Sequence, residues 1–316
     1  MTAGDQALLD VSNLGIRLDT SRGPAQAVRE VSFALRRGET LGIVGESGCG
    51  KSITALALLG LLPDSAVVSG NIRLDGRELV GLADADYCTL RGNRISMIFQ
   101  EPMTALNPMH TIGHQVAEPL LRHTGCSAAE AKRQAIALLD RVGLPDPARR
   151  YDAYPHQFSG GQRQRITIAM ALACKPDVLI ADLVAEQGMA MILISHDLGV
   201  IAENVQRMIV MYGGTVVESG TTDAVFSRMG HPYTQGLFRA RPRLGARKGT
   251  RLATIAGTVP ELADLPAGCP FADRCNLVVD ACRTALPPVA EIGAGHAVRC
   301  IRTDVALTRD PVGVIA

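Results

Sequence analysis

The segment Gly45-Glu46-Ser47-Gly48-Cys49-Gly50-Lys51-Ser52 decides the fold, because it matches the phosphate-binding pattern G-x-x-x-x-G-K-S at every fixed position. An apolar run that predicts a buried strand (40–44) precedes it, and an apolar run that predicts a helix (53–62, beginning with Ile53) follows it. Glycines let backbone N–H groups approach phosphates, the lysine carries positive charge to the terminal phosphates, and the serine hydroxyl can bind Mg²⁺. The segment therefore predicts a nucleoside triphosphate site and disfavours a chance glycine-rich turn.

Length and composition narrow the class of protein. With 316 residues, the chain is long enough for one large α/β domain and a smaller second domain. An apolar content of 47% and a formal net charge of +1 suggest neither disorder nor a nucleic-acid partner. No apolar run approaches the roughly 20 residues of a membrane helix, and residues 1–10 lack a signal pattern. We expect a soluble, cytosolic chain.

The pattern of apolar residues predicts the order of the elements in the first half. Alternation over 8–35, broken at Gly23-Pro24, predicts an N-terminal antiparallel β subdomain. A strand over 95–99 ends at Gln100, where ligand-facing residues collect. Helical spacing over 112–142 then predicts a helical insertion.

In the second half, polar motifs again follow apolar elements. A helix is predicted after Phe158-Ser159-Gly160-Gly161-Gln162, a strand over 178–181 ends at Asp182, and a strand over 191–195 ends at His196. A hairpin over 208–219 folds on Gly213-Gly214. Beyond residue 231 the composition shifts to Pro, Arg and Cys, which predicts a C-terminal domain.

This order of motifs resembles the ATPase subunits of ATP-binding-cassette transporters. Gln100-Glu101-Pro102-Met103-Thr104-Ala105-Leu106-Asn107-Pro108 and His231-Pro232-Tyr233-Thr234 are similar to the oligopeptide/dipeptide importer branch. The resemblance implies an α/β, P-loop NTPase fold with the N-terminal antiparallel β subdomain. It also implies a nucleotide-binding domain over 1–230 with the helical insertion at about 101–160, and a small cysteine-bearing C-terminal extension over 231–316.

The resemblance assigns roles to residues outside the phosphate loop. Gln100 would bind Mg²⁺ or the attacking water and sense the helical insertion, Asp182 would hold Mg²⁺, and His196 would contact the γ-phosphate. Ser159, Gly160, Gly161 and Gln162 would close on the ATP of a partner subunit, although an N-cap serine alone would also explain Ser159.

The implied function is ATP-driven import of di- or oligopeptides or a similar small solute. The implied partners are two membrane-spanning permease subunits, a paralogous ATPase subunit in a heterodimer and, indirectly, an external solute-binding protein. The subunit would lie peripherally on the cytoplasmic face of the inner membrane. The alternative is a nucleotide-binding partner subunit that is catalytically silent in its own site.

Two departures from the family pattern stand out. Asp182 is followed by residues 183–188 and then by the next strand, without the family's catalytic glutamate and crossover helix, whereas a parallel crossover takes about a dozen residues or more. Three explanations of this short connection are open: a genuine deletion, an incomplete sequence or a refolded sheet. The first two are favoured. Glu186 is not expected to act as the base, so we expect poor hydrolysis in this subunit's own site.

The second departure concerns the base. Residues 17–32 include no aromatic side chain, so adenine affinity is expected to be weak or to come from aliphatic contacts.

The chain has eight cysteines. Cys49, Cys88, Cys126 and Cys174 are scattered, whereas Cys269, Cys275, Cys282 and Cys300 share the C-terminal domain. Disulfides are not expected in the cytosol, and four thiolates suit an iron–sulfur cluster or tetrahedral zinc. The spacing is diagnostic of neither, so a cluster, zinc and plain thiols stay open. Resemblance to the extension of peptide-importer ATPases, some of which carry a [4Fe-4S] cluster, favours the cluster.

Overall fold

The computed structural model describes residues 6–99, 105–181, 189–240 and 254–308. Its strands, in chain order, are β1 (Leu9–Thr20), β2 (Gly23–Leu35), β3 (Thr40–Val44), β4 (Val67–Leu74), β5 (Arg77–Glu78), β6 (Ile95–Ile98), β7 (Val178–Ala181), β8 (Ala190–Ser195), β9 (Arg207–Tyr212), β10 (Thr215–Thr221), β11 (Ala290–Gly293) and β12 (His296–Val298).

The helices lie mainly between these strands. In chain order they are α1 (Lys51–Leu58), α2 (Asp84–Leu90), α3 (Ile112–His123), α4 (Ala128–Arg141), α5 (Pro147–Arg150), α6 (Gly160–Leu172), α7 (Leu198–Asn204), α8 (Thr222–Ser227), α9 (Pro232–Arg239), α10 (Ala281–Thr284) and α11 (Thr303–Thr308). The mixture of parallel strands, antiparallel strands and helices confirms the predicted α/β class.

The chain divides into two compact units. The first takes in Met1–Leu35, Thr40–Val80 and Ile194–Ala316, and the second takes in Arg36–Glu39 and Gly81–Leu193. In the first unit, the predicted β subdomain is an antiparallel sheet with the order β2-β1-β4-β5. Its β1–β2 hairpin turns at residues 21–22, since Thr20 pairs with Gly23.

A second group of strands in the first unit leads to the phosphate loop. β3 pairs in parallel with β9, and β9 folds back on β10 at Gly213 and Gly214, as the sequence predicts. β10 pairs with β12, which pairs with β11, so C-terminal strands extend this group. The apolar run of β3 is almost wholly buried, as parallel strands require. Its carboxyl end delivers the chain to Gly45.

The second unit carries the predicted helical insertion. Thr111 caps α3 by accepting a hydrogen bond from the backbone N–H of His114, and Ser127 caps α4 by accepting one from Glu130. Apolar faces of α3, α4 and α6 form one core, in which Ile112, Val116 and Leu139 are fully buried.

Two parallel strands of the second unit, β6 and β7, end where site residues were predicted. β7 pairs with β6 on one side and β8 on the other, and Ile98 and Ala181 are register partners, so β6 and β7 end side by side. Gln100 and Asp182, which follow these strands in sequence, lie outside the described residues. Residues 182–189 are all that connect β7 to its parallel neighbour β8.

Candidate functional site

The first and last glycines of the phosphate loop are required by its backbone. Gly45 has φ 154°, and a Cβ there would lie 2.3 Å from the carbonyl oxygen of Met211. Gly50 has φ 102° at the N-cap of α1, in the left-handed region that other residues avoid. The loop can therefore follow this path only with glycine at both positions, and α1 begins directly after it.

Lys51 lies over the loop at the start of α1. Its Nζ donates hydrogen bonds to the carbonyl oxygens of Gly45, at 2.7 Å, and Glu46, at 2.9 Å. Ser47, Gly48 and Ser52 are exposed. A half-buried ammonium above an exposed loop, beside a helix N-terminus, is a site that favours phosphate oxygens. The half-buried Ile53 follows in the first turn of α1.

Cys49 fills the inner side of the loop. The residue is 1% exposed, and burial raises the pKa of its thiol although the Lys51 ammonium opposes this. Its carbonyl oxygen accepts a hydrogen bond of 3.1 Å from the N–H of Gly214, at the β9–β10 turn. Cys49 therefore packs the loop against the hairpin as a neutral thiol.

Two residues of the C-terminal segment hold the phosphate loop, a role that was not predicted from the sequence. The backbone N–H of Glu46 donates a 2.8 Å hydrogen bond to the hydroxyl of Tyr233. The Arg274 guanidinium donates to both carboxylate oxygens of Glu46, at 2.6 and 3.2 Å. The Arg274 side chain is 5% exposed, so the ion pair is largely removed from water.

An aromatic cluster supports these two contacts. The ring of Tyr212 packs against those of Tyr233 and Phe271, with centroids 4.5 and 5.2 Å apart, and the Arg274 guanidinium lies 5.7 Å from the Tyr212 centroid. Burial raises the pKa of Tyr233 far above its usual range, which keeps its hydroxyl protonated. Tyr233 stands in the quoted His-Pro-Tyr-Thr signature, but only the fold reveals its contact with Glu46.

The structure places His196 directly after β8. The side chain is exposed, and the next residue, Asp197, caps α7 by accepting a hydrogen bond of 2.7 Å from the N–H of Gly199. His196 is thus available to a ligand and is not a core histidine. The other two predicted catalytic residues, Gln100 and Asp182, lie outside the described residues.

The Ser-Gly-Gly-Gln segment begins α6 with a reciprocal capping box. Ser159 Oγ accepts from the N–H of Gln162, while the N–H of Ser159 donates to the Gln162 side chain at 3.1 Å. Added Cβ atoms at Gly160 and Gly161 would meet no described atom within 4 Å. The serine is thus explained by capping, but neither glycine is required by contacts among the described residues.

The four C-terminal cysteines line a single narrow pocket, together with His231 and Phe271. Burial raises the pKa of Cys269 to about 12 and also raises the pKa of Cys300, and the other thiols of the pocket add to both shifts. Among the residues that the structure describes, no three His, Cys, Asp or Glu side chains converge as a ready metal site. The thiols are gathered, but in this conformation they do not form a ligand shell.

None of the helices among the described residues is long and apolar enough to cross a membrane. Two family models match the chain: ABC transporter over residues 28–183, and oligopeptide/dipeptide transporter, C-terminal region, over residues 217–282.

Proteins of similar sequence carry related names. A relative from Brucella melitensis biotype 1, named a peptide import ATP-binding protein, is 46% identical over 94% of this chain and 97% of its own. The dipeptide transport ATP-binding protein DppD of Bacillus subtilis is 44% identical over 93% of this chain and 94% of its own. The oligopeptide transport ATP-binding protein OppD of Mycobacterium tuberculosis is 43% identical over 97% of this chain and 54% of its own.

The alignment with the Brucella protein extends over 329 positions, although it takes in 94% of a chain of 316 residues. Some aligned positions of the relative therefore have no counterpart in this chain.

Solved structures support the same fold. A dimeric bacterial ABC transporter cassette has a TM-score of 0.59 at 25% identity, with coverage of 68% of this chain and 98% of its own. The cbiO1 protein of Clostridium perfringens, part of an ABC transporter complex, has a TM-score of 0.57 at 23% identity, with coverage of 71% and 92%. The second likeness, at that identity, shows the fold alone.

Proposed function

This chain belongs to the ATP-binding subunits of ABC transporters, and on that premise we propose that it binds ATP with Mg²⁺ at residues 45–53 and energises the import of peptides. The proposal rests mainly on the geometry of the phosphate loop. At the start of α1, the Lys51 ammonium donates hydrogen bonds to the carbonyl oxygens of Gly45 and Glu46. Relatives named for peptide, dipeptide and oligopeptide transport support di- or oligopeptides, or a similar small solute, as the cargo.

The chemistry within the site follows from charge and position. Mg²⁺ would be held by Ser52, Gln100 and Asp182, and its positive charge would offset the negative charge of the phosphates during phosphoryl transfer. The exposed His196 would contact the γ-phosphate. Lys51 would exchange its loop carbonyls for β- and γ-phosphate oxygens when ATP enters.

A second ATPase subunit would supply the other face of the nucleotide. In this proposal, the segment Ser159–Gly160–Gly161–Gln162 contacts the ATP that is bound by the partner subunit. Among the described atoms, the space beside both glycines is open. This supports the proposal, because a side chain there would obstruct a phosphate that approaches the N-terminus of α6. We expect the partner to be a paralogue.

Transport follows from the opening and closing of this pair. ATP binding would close the two ATPase subunits and hydrolysis would reopen them, while the helical insertion transmits the motion to two membrane-spanning permease subunits. An external solute-binding protein would act through those permeases. The subunit would lie peripherally at the cytoplasmic face of the inner membrane. Division into a nucleotide-binding domain (1–230) and a C-terminal extension (231–316) remains part of the proposal.

The second candidate function is a nucleotide-binding subunit that is silent in its own site. Residues 182–189 are the whole connection between the parallel strands β7 and β8, and the Brucella relative has residues that this chain lacks. A subunit without the glutamate that polarises the attacking water would bind ATP and complete a partner's site, but it would turn over little ATP itself.

An iron–sulfur cluster is the finer proposal for Cys269, Cys275, Cys282 and Cys300. Four thiols around one pocket match a [4Fe-4S] cluster in ligand number and type. The raised pKa of Cys269 means that a cation must displace its proton on binding, and the thiols must then converge. Anaerobic purification with iron and sulfide analysis is the test. A colourless, iron-free protein would exclude the cluster, and bound zinc would replace it.

The main experiment compares Lys51→Ala with Lys132→Gln. Lys132 is a half-exposed lysine whose ammonium lies over the Tyr151 ring in the second unit, so its substitution removes the same charge far from the phosphate loop in sequence. In the complex reconstituted in vesicles, we expect Lys51→Ala to lose ATP binding and peptide uptake, and Lys132→Gln to retain both. Retention of ATP binding by Lys51→Ala would contradict the proposed site. ATP binding without uptake of any peptide would contradict the cargo.

A further inference from the structure

A pocket lies beside the phosphate loop, and residues of the C-terminal segment form one of its walls. Its lining combines Ser47 and Gly48 of the loop, Thr20, Ser21 and Arg22 of the β1–β2 turn, and residues 259–263. Its volume of about 420 Å³ falls in the range of small-molecule sites. All of these residues belong to the first unit.

The position of the pocket matches what a nucleotide requires. Phosphates held by Lys51 and the N-terminus of α1 leave the rest of the nucleotide to pass over the exposed residues Ser47 and Gly48. Those two residues and the β1–β2 turn both line the pocket. The pocket therefore lies where a nucleoside attached to bound phosphates would lie.

The wall formed by residues 259–263 carries aliphatic side chains and Glu261, but no aromatic side chain. Val259, Pro260 and Leu262 are half-buried in it, and neither residues 17–32 nor the described wall contains an aromatic side chain. Aliphatic groups can pack on the faces of a purine and bury apolar area without the added energy of ring stacking. This wall would accept either purine.

Specific contacts hold the wall in place at both ends. At one end, Arg22 pairs with Glu261 at 3.0 Å and with Asp264 at 2.7 Å, and the turn at Leu262–Asp264 lies against β2. At the other, Arg274 donates to the carbonyl oxygens of Ala256, at 2.9 Å, and Ile255, at 3.3 Å, while it holds Glu46 of the loop.

We propose that the C-terminal segment 259–263 forms the nucleoside-facing wall of the nucleotide site, with Leu262 and Pro260 as its base-contacting residues. This inference rests on the proposed ATP site and adds a nucleobase subsite built by the extension rather than by an aromatic residue of the β1–β2 region. The wall sets a low preference between adenine and guanine.

The test separates contacts to the nucleoside from contacts to the phosphates. Dissociation constants for ATP, GTP and inorganic tripolyphosphate are measured on the full chain and on Leu262→Ser, Pro260→Gly and the double variant. Val289→Ser is the matched control, because Val289 is an exposed aliphatic residue outside this pocket. Thermal unfolding of each variant checks the fold.

We expect the double variant to bind ATP and GTP about fivefold to tenfold more weakly, while tripolyphosphate changes by less than about twofold. The control should match the unmodified chain, which itself should bind ATP and GTP within about threefold of each other. Unchanged ATP affinity in the double variant, or an equal loss for ATP and tripolyphosphate, would overturn the wall. If the unmodified chain bound neither ATP nor tripolyphosphate, the proposed ATP site itself would be contradicted.

Discussion

Arg274 and Glu46 form a bidentate ion pair between the cysteine-bearing C-terminal segment and the phosphate loop. The two guanidinium nitrogens lie 2.6 and 3.2 Å from the carboxylate oxygens, and the same guanidinium donates to the Tyr212 hydroxyl at 3.2 Å. Since Arg274 directly precedes Cys275, a proposed cluster ligand, the loop and the thiol pocket are linked through one side chain. The shape of the loop therefore depends on the C-terminal segment.

Removal of this pair should weaken both the fold and ATP binding. Arg274→Met leaves the Glu46 carboxylate without its buried partner, so we expect the free energy of unfolding to fall by about 2–3 kcal/mol. We also expect ATP to bind about tenfold more weakly, because Glu46 loses one of its two supports. Urea denaturation and ATP titration are the measurements.

Arg283→Met is the control for this prediction. Arg283 pairs with Asp273 in the same segment, but both side chains are more than half exposed, so its loss should change stability by less than about 0.5 kcal/mol. A double-mutant cycle with Glu46→Gln isolates the pair itself. Equal stability of the two arginine variants would contradict a structural role for Arg274.

A buried Glu218–His296 pair should dominate the stability of the C-terminal strands. Glu218 accepts hydrogen bonds from the backbone N–H of Gly230, at 2.7 Å, and of His231, at 3.0 Å, and from the His296 ring at 2.8 Å. It thereby joins β10 to β12 and to the start of α9. In Glu218→Gln an amide NH₂ would face these donors, so we expect a loss of about 2–3 kcal/mol.

The matched variant is Glu291→Gln, which makes the same change on the exposed face of β11 and should cost less than about 0.5 kcal/mol. Urea denaturation monitored by circular dichroism gives both values. If Glu218→Gln proved as stable as Glu291→Gln, the buried carboxylate could not be what joins these strands.

The thiol of Cys49 should react slowly at neutral pH. Burial raises its pKa, so a smaller fraction is thiolate near pH 7.5, and reactivity rises only as the pH approaches that raised value. We expect alkylation by iodoacetamide to be at least about tenfold slower at Cys49 than at the less buried Cys88. Peptide mass spectrometry resolves the two rates.

Urea provides the control for the cysteine experiment, since unfolding should bring the two rates together. Equally rapid alkylation of Cys49 and Cys88 in the folded chain would mean that the phosphate loop opens readily in solution.

Local sequence was enough to predict the phosphate loop and the approximate ends of the strands along the chain. The path of the loop depends on glycines at positions 45 and 50, and the β9–β10 turn on glycines at 213 and 214, so each is written in a few neighbouring residues. The contacts of Tyr233 and Arg274 with Glu46 join positions 187 and 228 residues apart. No periodicity or motif spacing encodes such pairs, because tertiary packing alone brings them together.

The four C-terminal cysteines show a different limit of prediction from sequence. Cys269, Cys275, Cys282 and Cys300 are grouped in sequence, and in the structure all four line one pocket. Proximity does not fix ligand geometry, however, and the occupant of the pocket depends on how far the thiols move when they lose their protons.

Hydrolysis in this subunit's own site should be slow because residues 182–189 replace the usual crossover. The proposed partner ATPase is first disabled by substitution of its own phosphate-loop lysine, so that remaining turnover reports this site alone. We expect near-background hydrolysis from the present chain. Insertion after Asp182 of a glutamate followed by a crossover helix, the two elements that the family pattern implies and this chain lacks, should raise it at least about hundredfold, since positioned general bases contribute on that scale.

The same insertion with glutamine in place of that glutamate is the matched control. It restores the length of the connection without the base, so it should stay near background and separate a chemical effect from a structural one. Near-normal turnover in the chain without an insertion would contradict the prediction. In that case the Mg²⁺ and phosphate ligands alone would suffice, and the attacking water would need no glutamate after Asp182.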